Sequence, residues 1–307
     1  MTSTRNRNDA NRLRERRPAI YCLDCGRSNE LKQLLSLAFS SNQVVSCRWC
    51  KKKFDLWEYA LTLLKHQAPL FRNRGAAFLG AQEGSFTFQL PPNGVADLDL
   101  AEYGIPRGSM PLYIVYTPSA GAGWPLEIRG NQPLQHKHSL KMAFFGRAFP
   151  DGDVKPSGPH DVDMSVTYMP QHTGQLPFDQ LATAFEYFLS DQFEKLILPC
   201  GAALEYAVER TVIESLKKLN LPERGASKRC AIEVLIPLIC KLHNVPLIDQ
   251  RILNVLNGLW TRRNEMAHEG KLKHAIDMSE AAKLLAASMF YMNYLIFLRE
   301  RLGLEIS

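Results

Sequence analysis

Residues 22–50, CLDCGRSNELKQLLSLAFSSNQVVSCRWC, carry two C-x2-C pairs, Cys22 with Cys25 and Cys47 with Cys50, separated by twenty-one residues. Soft thiolates on two tight turns are the ligands that tetrahedral zinc prefers, and four sulfurs close the site to any catalytic water. The expected cofactor is therefore one structural zinc. Iron also fits a four-sulfur site, and zinc is preferred on geometry and frequency. A redox dithiol would need a βαβ context, which the flanking sequence lacks.

The double pair resembles a zinc ribbon or the related treble-clef finger, over about 35 residues. Arg27, Lys32, Arg48, Trp49, Lys51, Lys52 and Lys53 surround the ligands. Such neighbours contact phosphates and stack a base; equally, a structural zinc module buries Trp49 or Phe54 against the rest of its protein. Cys200, Cys230 and Cys240 lack the tight spacing and read as small apolar residues in helices.

Upstream, residues 1–18 form a polar arm in which six Arg face one Asp and one Glu. It reads as a flexible basic arm that touches nucleic acid, or as a frayed terminus. It has no apolar stretch, so no secretory signal is expected and cytoplasm is the expected location. The whole chain has 307 residues, 46% hydrophobic and 22% charged, with a net charge of +6. That composition supports two or three folded domains, and the broken apolar runs argue against a membrane span. Net charge alone tolerates a polyanionic partner without demanding one.

Downstream, Leu56, Tyr59, Ala60 and Leu63 repeat at helical spacing, which predicts a helix over 55–66 closed before Pro69. From about Gly75 to Pro170 the pattern changes to short aromatic and β-branched runs such as SFTFQL, PLYIVYT, LKMAFFG and VDMSVTYM, divided by Gly, Pro, Asp and Asn. These predict about half a dozen strands in a small antiparallel sandwich or curled barrel. The block holds no glycine phosphate loop, nucleophile elbow or metalloprotease helix. His136 and His138 read as a polar sheet surface, with metal binding as the lesser alternative.

After Pro177 the period is helical, with helices expected over 178–198, 201–219, 227–242, 249–268 and 279–302, the fourth interrupted near Gly258. In the second, Leu204, Val208, Thr211, Val212 and Ser215 mark the inward face. The last helix is apolar on more than one side, so it is either central to its bundle or buried between two copies. The expected organisation is a multidomain α+β protein: the basic arm over 1–18, a zinc-ribbon-like module with its following helix over 19–70, an all-β module over 71–177 and a helical bundle over 178–307.

Within that bundle, NGLWTRRNEMAHEGK, residues 257–271, concentrates polar chemistry. Asn264 and His268 lie four apart and share a helix face, with Arg263 on its flank. This R-N-x3-H segment resembles the R-x4-6-H motif of the HEPN superfamily, and residues 201–219, with A-L-E from Ala203, weakly resemble the opening helix of such domains. The likeness covers roughly residues 180–305. It implies a dimeric helical domain and, as in many members, a metal-independent ribonuclease of toxin, antiviral (antiphage) defence or RNA-processing type. It further implies that Arg263 and His268 are catalytic and that Asn264 supports them.

The chemistry suits the residue types. RNA supplies its own 2'-hydroxyl nucleophile, His268 transfers protons near neutrality, and Arg263 offers phosphate a fixed charged fork. The expected protein is thus an RNA-cleaving hydrolase, an endonuclease working as a homodimer without catalytic metal, with an unidentified regulatory protein as a further partner. Arg48, Trp49, Lys51, Lys52, Lys53 and Arg262 are the candidate RNA contacts. Glu205 and Glu209 either bind the arginines of the site or stay solvated. The competing expectation is a non-catalytic module that binds nucleic acid or protein, in which the bundle only dimerises.

Overall fold

The computed structural model describes residues 14–16, 18–41, 43–118, 126–130, 140–148, 158–170, 176–221 and 231–304. His136, His138 and Cys230 lie outside the described residues, as does the beginning of the helix expected from Ser227. The architecture has an N-terminal mixed β/α segment with clustered cysteines, a central antiparallel β region and a C-terminal helical bundle. Two compact units divide the chain: Met1–Pro18 with Gly80–Gln171, and Ala19–Leu79 with His172–Ser307. The cysteine segment and the bundle thus belong to one unit, and the chain leaves that unit to make the β region before returning.

The N-terminal segment runs through strands β1 (Arg14–Arg16), β2 (Ala19–Tyr21) and β3 (Ser28–Glu30), helix α1 (Leu31–Ser40), strands β4 (Val44–Ser46) and β5 (Lys53–Asp55), and helices α2 (Leu56–Leu64) and α3 (Pro69–Arg74). A 3-10 turn, Gly75–Leu79, follows. Asp55 caps α2 by accepting from the Glu58 backbone N–H at 3.1 Å, and Pro69 opens α3, where its missing N–H costs nothing.

In the β unit, β6 (Gln82–Leu90), β7 (Val95–Asp99), β8 (Met110–Pro118), β9 (Leu126–Gly130), β10 (Lys141–Ala148) and β11 (His160–Met169) make two antiparallel sheets, ordered β1-β6-β11-β8 and β7-β10-β9. Residues 14–16 of the basic arm are therefore an edge strand, paired on β6. Strand β11 lies between β6 and β8, with Met164 opposite Phe86 and Tyr116. Its inward Val162, Met164, Val166 and Tyr168 are buried at every second position, the period that puts alternate side chains on one face. Leu98, Met142 and Phe144 of the second sheet enter the same core, where the Phe144 ring lies 5.1 Å from Phe88 and from Tyr116.

The bundle contains α4 (Leu176–Leu189), a 3-10 turn (Phe193–Leu196), α5 (Ile197–Lys218), a π-helical turn (Ala231–Leu235), α6 (Ile236–Leu242), α7 (Gln250–Glu269) and α8 (Met278–Leu302). The expected 178–198 helix ends early because Asp191 takes a left-handed φ of 55°, and α5 begins anew with Pro199 in its first turn. Gly258 does not interrupt α7, which is helical on both sides of it. The inward face expected of α5 is buried along its length, and its hydroxyls bond the preceding turn, Thr211 to Ala207 at 2.7 Å and Ser215 to Thr211 at 2.6 Å.

Helix α8 organises the unit. Seventeen of its residues are buried, on all sides of the helix. Among the described residues it alone is long and apolar enough to cross a membrane, and 83% of that window is buried inside the protein. Bundle helices α4, α5 and α7 cover part of it, and α1, α2 and the 3-10 turn at 75–79 cover the rest. Phe39 of α1 meets Tyr294 and Phe297 at 5.5 and 5.6 Å; Trp57 of α2 stands edge-on to Phe290 at 5.6 Å, and Phe78 stacks on Phe290 at 5.2 Å. Asn293 donates to the Phe78 carbonyl at 2.7 Å. At the rim, Arg251 of α7 pairs with Asp55 at 2.7 Å and Glu58 at 3.4 Å, while Asp249, held below the usual carboxylate range by Arg251, fixes the guanidinium.

Phe290 joins both halves of the unit, so Phe290→Ala is expected to cost about 3–5 kcal/mol. In urea denaturation the loss should appear as one lowered midpoint shared by the cysteine segment and the bundle, read by fluorescence and far-ultraviolet dichroism together.

Candidate functional site

The four cysteines sit on two backbone knuckles of matching form. In the first, the Cys22 N–H donates to the Arg27 carbonyl at 3.0 Å and the Gly26 N–H to the Cys22 carbonyl at 2.9 Å. In the second, Cys47 donates to Lys52 and Lys51 to Cys47, both at 3.0 Å. Gly26 and Lys51, each directly after the second cysteine of its pair, take left-handed φ of 67° and 62°. Glycine does so freely, whereas Lys51 accepts a conformation unusual for a side-chain-bearing residue in order to complete the turn.

The hairpins β2-β3 and β4-β5 bring the knuckles together, so that the four sulfurs lie within 4.8 Å of one another. Cys22 and Cys50 Sγ are 3.7 Å apart, and Cys25 and Cys47 Sγ 3.8 Å. A tetrahedron of zinc–sulfur bonds of about 2.3 Å has sulfur–sulfur edges of about 3.8 Å, so the donor set fits a structural zinc ion. Asn29, buried in the middle of β3, points its amide at Cys47 Sγ from 3.6 Å, and the Trp49 N–H reaches the same sulfur at 3.4 Å. Burial pushes the Cys47 thiol up, but N–H groups of Cys50, Trp49 and Asn29 outweigh it and bring the thiol down to about 6. At Cys50 the Lys52 backbone N–H favours the thiolate, while burial and the other three sulfurs push the thiol up to about 11. A dication among the sulfurs favours four thiolates at once.

Around this centre Phe54 turns inward, its ring 5.7 Å from Tyr59, whereas Trp49 stays 48% exposed. The Trp49 indole N–H donates to the Ser28 carbonyl at 2.9 Å, and the Arg27 and Arg48 guanidinium groups lie 5.1 and 4.8 Å from its ring centre. Lys51 bonds the Arg48 carbonyl at 2.8 Å, Lys52 pairs with Asp24, and Lys32 pairs with Glu300 at 3.0 Å. Lys53 is exposed on β5.

The R-N-x3-H segment occupies the last turns of α7. Asn257, Thr261, Asn264 and His268, spaced by four, three and four, form one polar stripe along it. Arg263 donates to Glu205 on α5 at 3.0 Å and to the Asn264 amide oxygen at 3.4 Å. A cavity of about 420 Å³ opens here, bounded by Arg263, Asn264, Trp260 and Asn257 on α7 and by Glu205 and Glu233. Gly201 lets α5 approach: a Cβ at that position would lie 2.8 Å from Arg263 Cγ. Arg262 is turned to α8, where it pairs with Glu280. His268 is exposed in the final turn, outside the cavity lining, before Gly270 ends the helix with φ 71°. One chain thus brings Arg263 and Asn264 together and leaves His268 beyond them on the outer end of the stripe.

Glu205 is exposed less than Glu209 and takes the arginine, which settles the choice that helix phase left open. Trp260, Asn257 and Glu233 were not singled out by the motif. The polar period through Asn257 is visible in the sequence, but Glu233 reaches the cavity from another helix. Comparison with known protein families, curated proteins and solved structures gives no match to this chain.

Two outcomes test these geometries. Elemental analysis of purified protein should give one zinc per chain and no iron, and Cys47→Ala should abolish zinc retention and lower the melting temperature. Gly201→Val should displace the Arg263 stem and break its pair with Glu205, detected in a double-mutant cycle as a Glu205→Gln change that lowers the melting temperature less in the Gly201→Val background than in wild type.

Proposed function

We propose that this chain is a metal-independent endoribonuclease acting as a homodimer, with Arg263, Asn264 and His268 of two copies forming a composite site. The carrying observation is the fixed Arg263: Glu205 holds its guanidinium at the mouth of a polar cavity, with the Asn264 amide beside it. The stripe that contains Asn264 ends at an exposed His268, where a second copy supplies its own.

In this reading one His268 removes the 2'-hydroxyl proton. The 2'-oxygen forms a bond to phosphorus while the bond from phosphorus to the 5'-oxygen breaks, and the second His268 protonates the departing oxygen. The products are a 2',3'-cyclic phosphate, which water opens to a 3'-phosphate, and a 5'-hydroxyl end. Arg263 stabilises charge on the non-bridging oxygens, and Asn264 orients its guanidinium. The zinc centre is structural. Its exposed Trp49, flanked by Arg27 and Arg48, suits stacking on an RNA base while Lys51 and Lys53 meet phosphate. The β unit selects substrate or senses a trigger, and the biological setting is toxin-like or antiphage defence with a regulatory protein.

A second reading has its own support. Arg263 is already neutralised by Glu205, and His268 stands outside the cavity, so a bundle that only dimerises would leave nucleic-acid or protein binding to the cysteine segment.

The discriminating experiment is cleavage of mixed single-stranded and structured RNA in EDTA, with zinc retention checked afterwards. Wild type should cut and leave 5'-hydroxyl ends, and His268→Ala and Arg263→Ala should each lower the rate by about 10²–10⁴-fold while remaining folded. A wild-type protein that leaves RNA intact, or variants that cut as fast, would favour the binding reading.

A further inference from the structure

The cavity beside Arg263 has features that phosphate binding does not use. Trp260 lines it beside Asn257 and Arg263. On the same stripe, the Asn257 side chain is exposed at the cavity and offers an adjacent donor and acceptor. At about 420 Å³ the space falls within the range of small-ligand sites, about 300–1,000 Å³.

We infer that this cavity is a recognition pocket for one unpaired adenosine of the RNA substrate, its base on the Trp260 indole and its edge read by Asn257. The aromatic face stacks a splayed base. An asparagine amide matches the N6 amino group and N7 of adenine bidentately. Arg263 at the cavity mouth then places the adjoining phosphate. The inference deepens the ribonuclease reading and rests on it for the position of the base next to the scissile bond.

The test is titration of the full-length protein with AMP, GMP, CMP and UMP by calorimetry, beside mapping of cleavage sites on RNA of mixed sequence. AMP should bind about tenfold more tightly than the others. Asn257→Ala and Trp260→Phe, shown folded by dichroism, should erase that preference and spread cleavage over all four bases. Equal binding of the four nucleotides, or an adenine preference unchanged in both variants, overturns the pocket. AMP selectivity lost in the variants, from a protein that cuts no RNA, upholds the pocket and removes the ribonuclease reading. Cleavage dependent on His268 without base preference does the reverse.

Discussion

A helix of twenty-five residues with apolar side chains on every side must be surrounded, and α8 takes its cover from both ends of the sequence. Bundle helices alone leave part of it bare; α1 and α2, which flank the second cysteine knuckle, close the remainder through Phe39, Trp57 and Phe78. The hydrophobic demand of one helix therefore decides that a metal-binding segment and a helical bundle share a core.

Much of this was legible in the sequence where a single residue type carries a local geometric demand. Four cysteines in two tight pairs announce their centre, because no other arrangement explains that spacing as well. The inward face from Leu204 to Ser215 and the apolar circumference of α8 follow from period alone. The sequence left two covers open for α8, a bundle or a second copy, and the structure supplies another, since contacts with α1 span more than 200 residues and leave no periodic trace. The break before α5 was expected at 199–200 and lies earlier: its place depends on Asp191 adopting a left-handed conformation, which an aspartate tolerates without requiring. Strand order in the β unit was equally hidden, because alternation fixes which face is buried but not which strand lies alongside.

The candidate site divides along the same line. Arg263, Asn264 and His268 were visible as a spaced trio on one helix, yet their surroundings come from elsewhere in the chain. Glu205 arrives on α5, and Gly201, one turn earlier, admits the arginine stem by lacking a side chain. Helix periodicity placed Asn264 and His268 on a common face; it held no information about where the cavity ends, and it ends before His268.

The long reach of the α8 contacts bears on biosynthesis. Lys32 and its partner Glu300 are 268 residues apart, while the cysteine knuckles need fewer than thirty residues to meet. A ribosome therefore releases a segment able to bind its metal long before the helix that covers its apolar face exists. During that interval Phe39, Trp57 and Phe78 lack their native partners, and the apolar surface that the folded chain buries stays uncovered until α8 emerges.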